Sequence, residues 1–217
     1  MEPLTKLLPD LEPSLQVVGL LFLLSFLPVM VVTMTPFLRI ILVLSLLRQA
    51  LGTQNAPPTL VLVGLSLVLT GYVLGPELNR INTEALVPLA NNEIQLTTAL
   101  DRTYKNLSGH MLRNVDVKDL KFFYTLSREP FPKNIEDVKV RELGTAYLLG
   151  ELRKAFQIAF LVFIPFLVID LIIANILLAL GMIMLSPTIV SLPFKIMIFV
   201  AIDGWDLIIK GLAQSFN

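Results

Sequence analysis

Apolar residues in this chain gather into long blocks, set apart by short polar punctuation and by one extended polar stretch. No charge stands between Glu12 and Arg39, and residues 17–32 (VVGLLFLLSFLPVMVV) are almost wholly apolar. Arg39 interrupts this block, and IILVLSLL carries it on to Arg48. Residues 49–76 are again uncharged, with an apolar run at 60–74. Residues 155–169 and 171–194 form the third and fourth runs, divided only by Asp170. A shorter fifth piece, 196–202, lies between Lys195 and Asp203. A helix that crosses a bilayer needs about 20 mostly apolar residues, and the alternation of a half-buried strand is absent. The pattern predicts an all-α chain of four long hydrophobic helices and a short C-terminal one. Pro57-Pro58 marks a turn between antiparallel helices. In the polar stretch, Leu120, Phe123 and Tyr124 at i, i+3, i+4 spacing predict an amphipathic helix over 115–127, broken at Pro130-Phe131-Pro132. A second such helix is predicted over 138–154, leading into the third apolar run. Three consecutive segments result: 1–76, 77–154 and 155–217.

Composition sharpens this picture. Of the 217 residues 55% are hydrophobic and 16% charged, against roughly 45–50% and about 25% in soluble domains. The charge deficit is the larger departure. It leaves too few charges to cover a soluble monomer and points to a bilayer, a large assembly, or both. Residues 77–154 hold 12 of the 17 Lys+Arg and 11 of the 17 Asp+Glu, so this stretch is a polar, mostly helical insertion of domain size. Seventeen cations and seventeen anions cancel, which removes the basic field that nucleic acid requires. The absence of cysteine excludes disulfides, thiolate zinc sites and a cysteine nucleophile. One histidine, His110, leaves no His-based metal cluster and no good Ser-His-Asp triad; it is expected on the surface. No P-loop, GxGxxG, HExxH or paired-carboxylate signature is present. The expectation is a protein with no enzyme chemistry, cofactor or metal. The first apolar run lacks the basic flank and small-residue cleavage site of a signal peptide and reads as mature structure. Arg39 and Arg48 place the 48–58 turn on the cytoplasmic side, with the polar stretch outside.

Arg39, Asp170, Lys195 and Asp203 stand within or beside apolar runs, where an isolated charge costs roughly 2.5–3.5 kcal/mol on insertion scales. They form either a polar conduit or proton relay, or a set of buried inter-helix or inter-subunit ion pairs. Met182 and Met184, with Ile183 between them, lie before the turn signal Leu185-Ser186-Pro187. Unbranched methionines serve either as a deformable seal or as ordinary core filling.

Several strings carry a resemblance: RIILVLSLLRQALGT at 39–53 followed by QNAPP, ELRKAFQIAFLVFIPFLVIDLIIAN at 151–175, then GMIMLSP, SLPFK, FVAIDGW and GLAQSF. Long, in order and spread over both apolar halves, they resemble the FliP/SctR family of type III secretion export-gate membrane proteins. RQALGTQ-x-x-PP looks more like its flagellar branch. The resemblance implies long, tilted helical hairpins that assemble into a tapered oligomeric pore, five copies together with FliQ-like and FliR-like subunits. It further implies FlhB-like and FlhA-like export components, unfolded flagellar proteins as the cargo, and energy from the proton motive force and a separate ATPase. Location would be the bacterial inner membrane within the flagellar basal body, with much of the gate at or above the outer leaflet. The GMMM-type loop that seals the pore in this family corresponds to Met182, Ile183 and Met184; Ile183 makes the seal stiffer at one place. Glu151 is similar to a family residue at the contact between neighbouring copies. The four charges would then pair between subunits. Two other readings remain: a self-contained proton channel or secondary transporter with Asp170 and Asp203 as carriers, and an assembly scaffold that does not line the pore.

Overall fold

The computed structural model describes residues 21, 25, 28–134 and 137–216. Every regular element among them is helical: α1 (Pro28–Met34), α2 (Phe37–Ala50), α3 (Thr59–Val73), α4 (Gly75–Ile81), a π-helical turn (Asn82–Leu86), α5 (Val87–Ala90), α6 (Leu96–Asn114), α7 (Val117–Leu126), α8 (Val140–Ala179), α9 (Pro187–Ala201) and α10 (Gly204–Gln214). Among the described residues one helix, α8, is long and apolar enough to cross a membrane, and up to three spans result if each of two interrupted helix pairs counts as one. Most of the first apolar run lies outside the described residues.

Two compact units form, and they cut across the three consecutive segments that hydropathy suggests. One unit takes the chain up to Thr35 together with Leu74–Leu148; the other takes Pro36–Val73 together with the chain from Leu149 onward. The apolar halves at the two ends of the sequence therefore share one unit. Its core is Val43, Leu44 and Leu47 of α2, Leu62 of α3, Ala155 and Phe166 of α8, Phe199 of α9, and Ile208 and Leu212 of α10. The spacing of Ile40, Val43, Leu44 and Leu47 puts them on one α2 face, which is why that face is buried.

The polar unit is held by three small clusters instead of one core. Ile81, Ala85 and Ala99 form the first, Met111, Leu143 and Tyr147 the second, and Leu120, Tyr124 and Ala146 the third. The π-helical turn has a local cause. Pro88 has no N–H for the carbonyl of Glu84 four residues before it; that oxygen instead accepts from Arg102 Nη1 at 2.7 Å. His110, expected on the surface, is buried. Its α6 face packs inward, with the Tyr147 ring edge-on at 6.3 Å and the Glu77 carboxylate 3.8 Å from Nδ1. Glu77 also accepts from Arg113.

Helix boundaries in the apolar half differ from the hydropathy reading. Asp170 does not separate two helices. It lies within the 40-residue α8, about 60 Å long, which runs through the third run and into the first part of the fourth, to Ala179. Nor does Lys195 start a short C-terminal helix: α9 passes through it, and the last helix is α10. Hydropathy registers charge, whereas helix continuity depends on backbone hydrogen bonds, which a partnered side chain leaves intact. Even Pro165 is carried inside α8.

Candidate functional site

The apolar unit carries two buried ion nodes and one exposed loop. The first node begins with Arg39, in the first turn of α2 and fully buried. Its Nε donates to Glu151 Oε2 at 2.8 Å and its Nη2 to the other carboxylate oxygen, a bidentate pair. Nη1 donates to the carbonyl of Ser215 at 2.7 Å and to its hydroxyl at 3.0 Å. The Phe216 ring lies over the guanidinium, 3.7 Å from its carbon. Each guanidinium nitrogen thus has an acceptor, which is the condition for burying such a charge.

In the second node Lys195 of α9 donates to Asp170 Oδ2 of α8 at 2.6 Å and to the carbonyl of Ala50 at 3.1 Å. Ser191, one helical turn before Lys195, donates to the other Asp170 oxygen. Lys195 is buried and Asp170 29% exposed. The two nodes share a plan. Ser215 caps the end of α10 and Ala50 ends α2, so each cation meets a helix C-terminus, where carbonyls lack helical partners and the dipole is negative. Arg39 and Ala50 are eleven residues apart on α2, about 16 Å, so α2 is tied at both ends. Arg39 and Lys195 take their acceptors within the chain.

Asp203 has a different place. It is exposed, adopts φ 51° and ψ 53°, and begins α10. Gly204 follows it against Phe199: a Cβ on Gly204 would stand 2.2 Å from two atoms of that ring. Phe199 in turn meets Trp205 edge-on at 5.4 Å. FVAIDGW is thus a tight corner between α9 and α10. Nearby, Leu161 and Pro165 of α8 and Leu207 and Gly211 of α10 help line an apolar cleft of about 330 Å³.

The RQALGTQ-x-x-PP string is also a corner. Gly52 takes φ 79° after α2, a conformation that favours glycine. Arg48 donates to the Pro57 carbonyl at 3.2 Å and to the Thr59 hydroxyl at 3.1 Å, while Thr53 donates to the Arg48 carbonyl.

Met182, Ile183 and Met184 lie on the loop between α8 and α9, with exposures of 46%, 80% and 100%. The loop's entry is a Schellman motif. Gly181, at φ 74°, donates to the Leu178 carbonyl at 3.0 Å, and Met182 N–H donates to that of Leu177 at 2.9 Å. Its exit is Ser186-Pro187, with proline at the first helical position, where its missing N–H costs nothing. Inside the loop Leu185 N–H reaches the Met182 carbonyl at 3.4 Å. The methionines are therefore presented on a short staple with both ends pinned.

Sequence reasoning singled out Arg39, Asp170 and Lys195 but not Ser191 or Ser215, and it did not join Glu151 to Arg39. Ser191 carried a signal, since it stands four residues before Lys195 on the same face. Ser215 carried none. Among the described residues no group of three or more His, Cys, Asp or Glu is placed to share a metal ion.

Comparison with known proteins adds to this geometry. A sequence model of the FliP family matches residues 20–212. The flagellar biosynthetic protein FliP of Pectobacterium carotovorum subsp. carotovorum is 49% identical over 203 residues, covering 94% of this chain and 79% of its own length. That of Bacillus subtilis is 41% identical over 207 residues, covering 95% of this chain and 94% of its own. That of Aquifex aeolicus is 38% identical over 210 residues, at 96% and 88% coverage.

Proposed function

The chain belongs to the FliP family, and from that premise we propose that it is a core subunit of the flagellar export apparatus, forming part of the pore wall through which unfolded flagellar proteins cross the inner membrane. Several copies, five by resemblance to the family, assemble with FliQ-like and FliR-like subunits and work beside FlhB-like and FlhA-like components. Glu151 serves the contact between copies. The subunit's task is that of a wall and a seal, with energy supplied elsewhere.

The methionine loop carries this reading. Apolar side chains at 46% to 100% exposure on a pinned loop are left largely uncovered by the described residues. Brought together by several copies, flexible thioethers close a pore and yield to a passing chain of any sequence. The apolar faces of α3 and α8 support the reading too. Leu60, Val68 and Tyr72 of α3, and Phe160 and Leu161 of α8, are exposed, as suits lipid or neighbouring subunits. The ion nodes leave these faces free of charge.

The test is the double variant Met182→Ala/Met184→Ala in the co-expressed gate. Shortening both side chains is expected to raise ion leakage across the membrane. Unchanged conductance would sink the seal.

A further inference from the structure

Glu151 is an unusual residue to serve a contact between copies. Its side chain is 1% exposed and both carboxylate oxygens are held by Arg39. It touches a neighbour only if that pair opens, which strands two buried charges. Where else its influence goes follows from the rest of the Arg39 fork. Nη1 holds the Ser215 carbonyl and hydroxyl, and the Phe216 ring covers the guanidinium. These residues end α10, whose other end is fixed by the close approach of Gly204 to Phe199. Between the two anchors α10 buries Ile208 and Leu212 and leaves Trp205 and Leu207 outward.

We infer that Arg39, Ser215 and Phe216 form a latch on α10 and that Glu151 is its positioning residue. Glu151 orients Arg39, Arg39 holds Ser215 and Phe216, and the latched α10 is the form competent to assemble. The inference rests on the proposed role of Glu151 and deepens it by adding Arg39, Ser215 and Phe216 to the assembly determinants. The latch is directional. An arginine at 39 donates to the carboxylate and to the Ser215 carbonyl at once; a glutamate at 39 has no N–H for that carbonyl. Exchanging the two charges therefore restores the ion pair and leaves the latch open.

The experiment co-expresses the full chain with its partner subunits. It reads the assembled complex by native mass spectrometry and amide exchange over residues 204–216. Glu151→Arg is expected to abolish assembly. The exchange variant Arg39→Glu/Glu151→Arg is expected to stay deficient, with exchange over 204–216 about tenfold faster, as loss of a charge-assisted hydrogen bond implies. Phe216→Ala, which keeps the ion pair, is expected to lower assembly about tenfold, and Phe216→Tyr, which keeps the ring, to restore it. Wild-type assembly of the exchange variant, or of Phe216→Ala, overturns the latch while leaving the role of Glu151 standing. Wild-type assembly of Glu151→Arg overturns that role and the latch together.

Discussion

Asp203 shows how a charge in an apolar neighbourhood is explained by backbone shape. Its left-handed conformation costs most L-residues roughly 1–2 kcal/mol, and Asp and Asn adopt it most readily. Gly204 must follow because the Phe199 ring leaves no room for a Cβ. Asp203→Asn should therefore keep thermal stability in detergent within about 0.5 kcal/mol, the usual range for a surface change. Asp203→Val should lose about 1–2 kcal/mol, and Gly204→Ala about 1–3 kcal/mol through overpacking. If Asp203→Asn stops export at unchanged stability, the carboxylate is a proton carrier and the corner reading fails. For the other three charges the apolar surroundings are a sufficient alarm, and a sequence shows those directly. Their partners are another matter. Glu151 and Ser215 lie 112 and 176 residues from Arg39; Ser215 does not stand out among its neighbours, and the family resemblance that marks Glu151 does not point to Arg39.

At the scale of elements, helix ends decide more than helix interiors. Hydropathy divides the apolar half at its charges, Asp170, Lys195 and Asp203; the chain keeps only the break at Asp203 and adds one at Gly181, and φ is positive at both. Leu185-Ser186-Pro187 is the turn signal in the sequence, and it marks the exit of the loop; the break at Gly181 that opens the loop comes from the structure. The Schellman closure at Gly181 is what pins Met182. Gly181→Ala should cost about 1–2 kcal/mol at that φ and loosen the loop. The expected outcome is faster amide exchange at residues 182–185 and an ion leak smaller than that of the double methionine variant. Wild-type exchange in the loop would show that glycine is not what pins it.

For the whole molecule, the wall and the scaffold readings separate by what the loop touches. The chain lacks cysteine, so Met184→Cys creates a single thiol at the most exposed loop position without background. In an assembled gate arrested with a partly exported substrate, this thiol should crosslink to the substrate, while a control Leu60→Cys on the outward face of α3 should not. Equal yields from the two positions would favour a scaffold beside the pore.

The sequence by itself determined the all-α class, the affinity for a membrane or an assembly, the family strings and the position of the methionine loop. These follow from periodicity, charge density and turn chemistry, which act over a few residues and survive in any fold that keeps the helices. Only the tertiary structure decided that the two apolar ends share one unit, that His110 is buried, and that Arg39 answers to Glu151 and Lys195 to Asp170. A charge in an apolar helix announces that it needs a partner; which partner it receives depends on how distant helices pack and where their unsatisfied carbonyl ends fall.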